Sequence, residues 1–144
     1  MSKYDKHLKA FTVLHRAQTS VQEATKKDIQ QHDLNLTEFA VMELLYHKGD
    51  QPIQIIGKKV LIASSSITYV VDKLEKKNLV ARVACPTDRR VTFVSLTDEG
   101  RQMIESIFPS HEKKIASIFD VLSDEELQNL TDYLKRVGHH ANKF

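Results

Sequence analysis

Residues 64–96, SSSITYVVDKLEKKNLVARVACPTDRRVTFVSL, decide how the rest of the chain is read. The first half has helical periodicity: Ile67, Val70, Val71 and Leu74 fall at i, i+3, i+4 and i+7, one apolar stripe. The second half switches period. Leu79–Val83 and Val91–Leu96 are rich in β-branched residues and partly alternate, so they predict two strands. Cys85 to Arg90 joins them, which makes a β-hairpin with a basic tip.

Working back from Ser64, residues 53–60 (IQIIGKKV) predict a short helix. Leu61-Ile62-Ala63 then separates it from the Ser64–Lys77 helix, the connection length of a helix-turn-helix. Gly57 weakens a helix interior by roughly 1 kcal/mol relative to alanine, which makes sense if the second helix packs closely on it. Further back, Thr37 is the expected N-cap of a helix ending at Gly49, and Pro52 permits a short extended segment. Residues 5–31 carry Leu8, Phe11, Leu14, Ala17, Val21 and Ala24 at helical spacing.

Beyond the hairpin, Thr97 is the expected cap of a helix running towards Leu122, which Pro109 should kink or interrupt. Ser123-Asp124-Glu125-Glu126 is a capping box opening a last helix with Leu127, Leu130, Leu134 and Val137. The order predicts a mainly α (α+β) protein: a winged helix-turn-helix lobe over 37–97. The N-terminal helix of 1–36 and the C-terminal helices of 98–144 flank it as dimerisation segments. Leu8, Phe11, Leu14, Ile104, Ile107, Phe108, Leu130, Leu134 and Val137 form stripes too long for the small lobe to cover. They need each other or a second copy, and an intertwined homodimer would set two recognition helices about one DNA turn apart.

Charge agrees with this outline. The net charge of the 144-residue chain is only +2, but Pro52–Leu96 holds eight basic and three acidic residues. The remainder holds thirteen basic and sixteen acidic. A basic middle between mildly acidic flanks suits nucleic acid, though a solvated lysine-rich surface would look similar.

A recognition helix needs small polar groups near its N-terminus for base edges and cations where it passes phosphates. Ser64, Ser65, Ser66, Thr68 and Tyr69 supply the first, Lys73 and Lys76 the second. At the hairpin tip, Asp88-Arg89-Arg90 suits the narrow, negative minor groove, where a planar cation is favoured. Asp88 can pin one arginine by a charge-assisted pair while the other projects. Spacing leaves open which does which.

Other chemistries find little footing. There is no HExxH pattern, phosphate loop or nucleophile elbow, so neither an enzyme, a metal nor a cofactor is expected. The single cysteine, Cys85, excludes an internal disulfide. It is a redox candidate if nearby arginines favour its thiolate, or merely a small residue ending a strand. No apolar run approaches the ~20 residues of a membrane span, and MSKYDKHLKAF lacks the apolar core of a secretory signal. The expected location is cytoplasmic, with no membrane partner.

These residues resemble the MarR family of bacterial transcription regulators. Arg82…Pro86-Thr87-Asp88-Arg89-Arg90…Val94-Ser95-Leu96-Thr97-Asp98-Glu99-Gly100 looks like that family's wing signature. Ser66-x-x-Tyr69-x-Val71-Asp72-Lys73-Leu74-Glu75-x-x-x-Leu79-Val80 looks like its recognition helix. Ile56-Gly57 stands where the family commonly has Leu-Ala. Thr37–Val80 is also similar to a quinone- and hydroquinone-responsive branch.

The resemblance implies a homodimeric repressor on pseudo-palindromic double-stranded operator DNA, released by a small aromatic (phenol- or quinone-like) effector. By position, the effector pocket would draw on Phe11, His15, Phe39, Met42 and Tyr46. The alternatives are a repressor switched by modification of Cys85, or a helical interaction module with no DNA role.

Overall fold

The computed structural model describes residues 2–60 and 64–144, with the backbone alone for Ser64 and Ser65. The 61–63 connection of the helix-turn-helix therefore lies outside the described residues. Among the described residues, six helices and three strands follow in order: α1 (Asp5–Gln30), α2 (Leu36–Lys48), β1 (Gln51–Pro52), α3 (Ile53–Lys59), α4 (Ser64–Lys76), β2 (Val80–Ala84), β3 (Thr92–Leu96), α5 (Asp98–Phe119) and α6 (Asp124–Ala141). They divide into two compact units, Met1–His111 and Glu112–Phe144.

In the first unit, the core gathers Ile29 of α1, Phe39, Val41, Met42 and Leu45 of α2, and Ile56 of α3. The expected stripe of α4 (Ile67, Val70, Val71 and Leu74) joins them with Val80, Val94, Ile104 and Ile107. Thus Ile104 and Ile107, expected to need a second copy, are covered by their own chain, and Phe108 packs against the same core. The stripe at the start of α1 is different. Leu8, Phe11 and Leu14 are 59%, 72% and 44% exposed.

Helix α2 is capped two positions earlier than expected. Its N-cap is Asn35, not Thr37: the Asn35 side chain accepts the Glu38 N–H at 2.8 Å, and Glu38 Oε1 accepts the Asn35 N–H at 3.0 Å. This reciprocal pair satisfies two otherwise orphaned donors, which a Thr37 cap would have left inside a longer turn. Gly49 ends α2 with φ +79°, a conformation that costs glycine nothing.

The segment after it does more than extend. Gln51 and Pro52 pair with Val94 and Phe93, adding a third strand to the hairpin in the order β1-β3-β2. A proline fits there because β1 is an edge strand, where the missing N–H can lie on the side away from the ladder.

Helix α4 ends in a Schellman motif. Asn78 takes φ +62°, the Leu79 N–H reaches the Leu74 carbonyl at 3.0 Å, and the Asn78 N–H reaches that of Glu75 at 2.9 Å. The start of α5 docks on this turn. Thr97 Oγ1 donates to the Asn78 carbonyl at 2.7 Å and accepts the Gly100 N–H at 3.0 Å, and the Thr97 N–H donates to the Leu79 carbonyl at 3.1 Å. A β-carbon on Gly100 would fall on the Leu79 carbonyl oxygen, so the glycine of the Leu-Thr-x-x-Gly pattern is a steric requirement. Gly57 is not one. Its β-carbon position lies 3.5 Å from Ile67, ordinary contact, so close helix packing does not demand a glycine there.

Helix α5 runs unbroken through Pro109, which does not interrupt it as expected. In the second unit, Ser123 accepts the Glu126 N–H at 3.1 Å and Glu126 returns to the Ser123 N–H at 2.9 Å, the expected capping box. That bond to Ser123 holds the Glu126 carboxyl below its ordinary pKa. No α6 residue is buried, and Tyr133, Leu134 and Val137 are exposed. Among the described residues, no helix is long and apolar enough to cross a membrane.

Candidate nucleic-acid interface

Helix α4 turns its core stripe inward, which leaves Thr68, Tyr69 and Lys76 exposed and Ser66 and Lys73 half-buried on the outer side. The Lys73 ammonium lies 5.4 Å from the centre of the Tyr69 ring, so its stem is folded along the aromatic face. The side chains of Ser64 and Ser65, expected at the tip of the same face, lie outside the described residues.

The tip between β2 and β3 is a closed turn. The Val91 N–H donates to the Asp88 carbonyl at 3.1 Å, so Arg89 and Arg90 are its two central residues, and the Cys85 N–H closes the loop on Val91 at 3.2 Å. Asp88 then selects between the arginines. Its Oδ1 accepts the Arg90 backbone N–H at 3.0 Å and Nε at 3.1 Å, and Oδ2 accepts Nη2 at 3.3 Å. Arg90 is the brace. Both arginines are exposed, but among the described residues the Arg89 guanidinium makes no hydrogen bond or ion pair, so it is the one left free to project. The Arg90 side chain and then its backbone N–H hold the Asp88 carboxyl below the ordinary aspartate value of 3.8.

Arg82 is one of the eight basic residues of the Pro52–Leu96 segment. The structure commits it to ion pairs within the lobe: Nη1 donates to Glu75 Oε1 and Nη2 to Asp72 Oδ1, both at 2.6 Å. Burial opposes the guanidinium charge, but the bond to Asp72 and the attraction of Glu75 and Asp72 outweigh it and raise the pKa further. A signal for this existed. Val80 and Arg82 share a strand face, Val80 points into the core, and Asp72 and Glu75 lie i, i+3 on the preceding helix. Lys77 is likewise committed, donating to Glu38 Oε2 at 3.0 Å and to the Asp33 carbonyl at 2.6 Å. After these pairings the positive groups between Pro52 and Leu96 without an ion pair are Lys58, Lys59, Lys73, Lys76 and Arg89, among the described residues.

Cys85 is half-buried with Sγ 3.4 Å from Thr87 Oγ1. Its thiol pKa is lowered, as the redox reading requires, but by the Thr87 hydroxyl and backbone rather than by arginines.

The residues expected for an aromatic pocket separate. Phe11 and His15 are exposed on α1, Met42 is fully buried, and Tyr46 is half-buried 6.4 Å from the Phe108 ring. Phe39 alone of the five lines a cleft of about 430 Å³, with Glu43, Leu44, His47, Val60 and His111. That volume is in the ~300–1,000 Å³ range of small-molecule sites. The Phe39 and His111 rings meet edge-on at 4.6 Å, and His111 Nε2 lies 3.6 Å from Glu43 Oε2. His111 Nδ1 is buried with no hydrogen-bond partner. Glu43 and His111 are 68 positions apart, so no local pattern joined them.

Comparison with known proteins agrees with the geometry. The MarR family model matches residues 34–92, from the end of the α1–α2 turn to the start of β3, just past the wing tip. The transcriptional regulator MhqR of Bacillus subtilis (strain 168) is 56% identical over 140 residues, 97% of either chain. The MarR family regulator Sco3205 of Streptomyces coelicolor, solved in complex with DNA, superposes with a TM-score of 0.86 at 22% identity, covering 97% of this chain and 89% of that one. NadR, solved with 4-hydroxyphenylacetate, superposes with a TM-score of 0.81 at 26% identity over 95% of this chain and 97% of that one. This chain therefore belongs to the MarR family of winged helix-turn-helix transcriptional regulators, which are DNA-binding regulators and not enzymes.

Proposed function

We propose that the protein is a homodimeric repressor that holds a pseudo-palindromic operator and is released from it by a small phenol- or quinone-like compound. The observation that carries the DNA contact is the division of labour at the wing tip, where Asp88 pins Arg90 and leaves Arg89 extended. In this reading Arg89 enters the minor groove. Ser64, Ser65, Ser66, Thr68 and Tyr69 face base edges in the major groove, and Lys73 and Lys76 lie against phosphates. Residues 37–97 are the DNA-binding lobe, and 1–36 and 98–144 the dimerisation region. The exposed stripes Leu8-Phe11-Leu14 and Leu134-Val137 support a second copy as their cover.

The effector reading rests on the Phe39–Glu43–His111 cleft, which offers an apolar aromatic wall, a carboxylate acceptor and an imidazole. A phenolic hydroxyl donating to Glu43 suits it, and Phe11 and His15 join the site only in the dimer.

Gel shifts at fixed salt test the DNA reading, since phosphate contacts make affinity steeply salt-dependent. Arg89→Ala weakens operator binding on the order of tenfold, the size of one lost groove contact, with the dimer intact. Unchanged affinity for both Arg89→Ala and Arg90→Ala refutes the wing contact. For the effector, Glu43→Ala and His111→Ala bind DNA normally and are no longer released by hydroquinone. Normal release of both variants removes this cleft from the mechanism.

A further inference from the structure

Among the described residues, the Arg82 fork is the one link between the wing and the recognition helix that passes through side-chain charge. Arg82 is third in β2, opposite Val94 of β3, and the strand carries on directly to the loop that presents Arg89. Its two carboxylate partners stand one turn apart on α4, in the half of the helix that includes Lys73 and Lys76. Two bonds from one planar guanidinium fix both distance and angle, which a single ammonium does not. The side chain is 27% exposed, so water competes with the bonds only in part.

From this geometry we infer that Arg82 is a positioning residue for operator binding. Its fork sets where the wing stands relative to α4, so that Arg89 and the outer face of α4 meet one half-site together. The inference rests on the proposed minor-groove role of Arg89. Arg82 itself touches no DNA. It acts by keeping two contact surfaces in register, so its loss costs the Arg89 contact while leaving that residue in place.

The alternative action of Arg82 is electrostatic. By covering Asp72 and Glu75 it would merely hide two negative charges from DNA. Lysine separates the two, because it keeps the charge and loses the fork.

The experiment uses the full-length protein and a duplex that the wild type selects from a randomised library. Affinity is measured by gel shift across a salt series for Arg82→Lys, Arg82→Met, Arg89→Ala and Arg82→Met/Arg89→Ala. Thermal melts confirm that each is folded. The expected result is a loss on the order of tenfold for both Arg82 variants, the size of one groove contact. The slope of log affinity against log salt falls by about one, as for any lost cationic contact. The double variant binds no more weakly than Arg89→Ala alone, because the two changes remove the same contact.

Wild-type affinity of Arg82→Lys, an unchanged salt slope, or multiplied losses in the double variant each overturn the positioning role. A merely less stable protein lowers the active fraction without changing the slope. If Arg89→Ala itself binds as the wild type does, it is the minor-groove reading that fails.

Discussion

Replacing Lys77 by methionine tests how the recognition helix is held to the scaffold. Glu38 is 2% exposed, so its carboxylate has been taken almost wholly out of water. Two groups serve it: the Asn35 N–H at Oε1 and the Lys77 ammonium at Oε2, each at 3.0 Å. Lys77 also donates to the Asp33 carbonyl at 2.6 Å, in a turn where Asp33 has φ +59°. Methionine keeps the stem and removes both bonds.

Breaking a buried pair from one side costs ~3–5 kcal/mol because the remaining charge is stranded. Lys77 is 28% exposed, so water can reach part of the vacated space, and about 2–3 kcal/mol is the expected loss after discounting for screening. The two sides are unequal. Glu38→Gln still caps through its amide oxygen, and Lys77 is left near solvent, so it costs about 1 kcal/mol.

Urea denaturation of the single and double variants measures all three values. The Lys77→Met/Glu38→Gln protein is more stable than Lys77→Met alone, because the stranded charge is gone. Losses that add, or a Lys77→Met cost below about 0.5 kcal/mol, the level of an exposed pair, refute the reasoning.

Three further outcomes follow from single positions. Gly57→Ala stabilises the protein by roughly 0.5–1 kcal/mol in the same urea assay, since its methyl meets only ordinary contact with Ile67; a loss of stability contradicts that packing. Gly100→Ala destabilises by at least about 2 kcal/mol, because the methyl strikes backbone that cannot swing aside, and an unaffected melt rules this out. Asp88 titrates below its ordinary 3.8 by NMR and returns towards it in Arg90→Ala. Its folded pKa is the depressed one, so the pairing contributes fully at neutral pH and is lost as pH falls through the folded value.

Much of the fold could be read from the chain because it is local. The α4 stripe, the hairpin between Cys85 and Arg90, the box at Ser123–Glu126 and the glycine stop at Gly49 depend on neighbours within a few residues. The cap of α2 was misplaced because Asn35 and Thr37 are both competent caps, and only the returning Glu38 carboxylate chooses between them. The pairing of Gln51 and Pro52 with β3 crosses some forty positions, and two residues carry too little pattern to announce it. The cleft beside Phe39 was harder still, because Glu43 and His111 meet Phe39 only where α2 and α5 pack.

By itself, then, the sequence determined the order of elements, the basic lobe and the arginine-tipped wing, because periodicity, caps and charge are written in adjacent residues. Only tertiary structure decided what each charge is for. Asp72 and Glu75 tied Arg82 to α4 and Glu38 claimed Lys77, while at the wing tip the geometry of the turn chose Arg90 over Arg89 for Asp88. A charge has no direction in a sequence. It acquires one when packing brings an opposite charge within about 3 Å, where ion pairing is strong enough to fix a side chain.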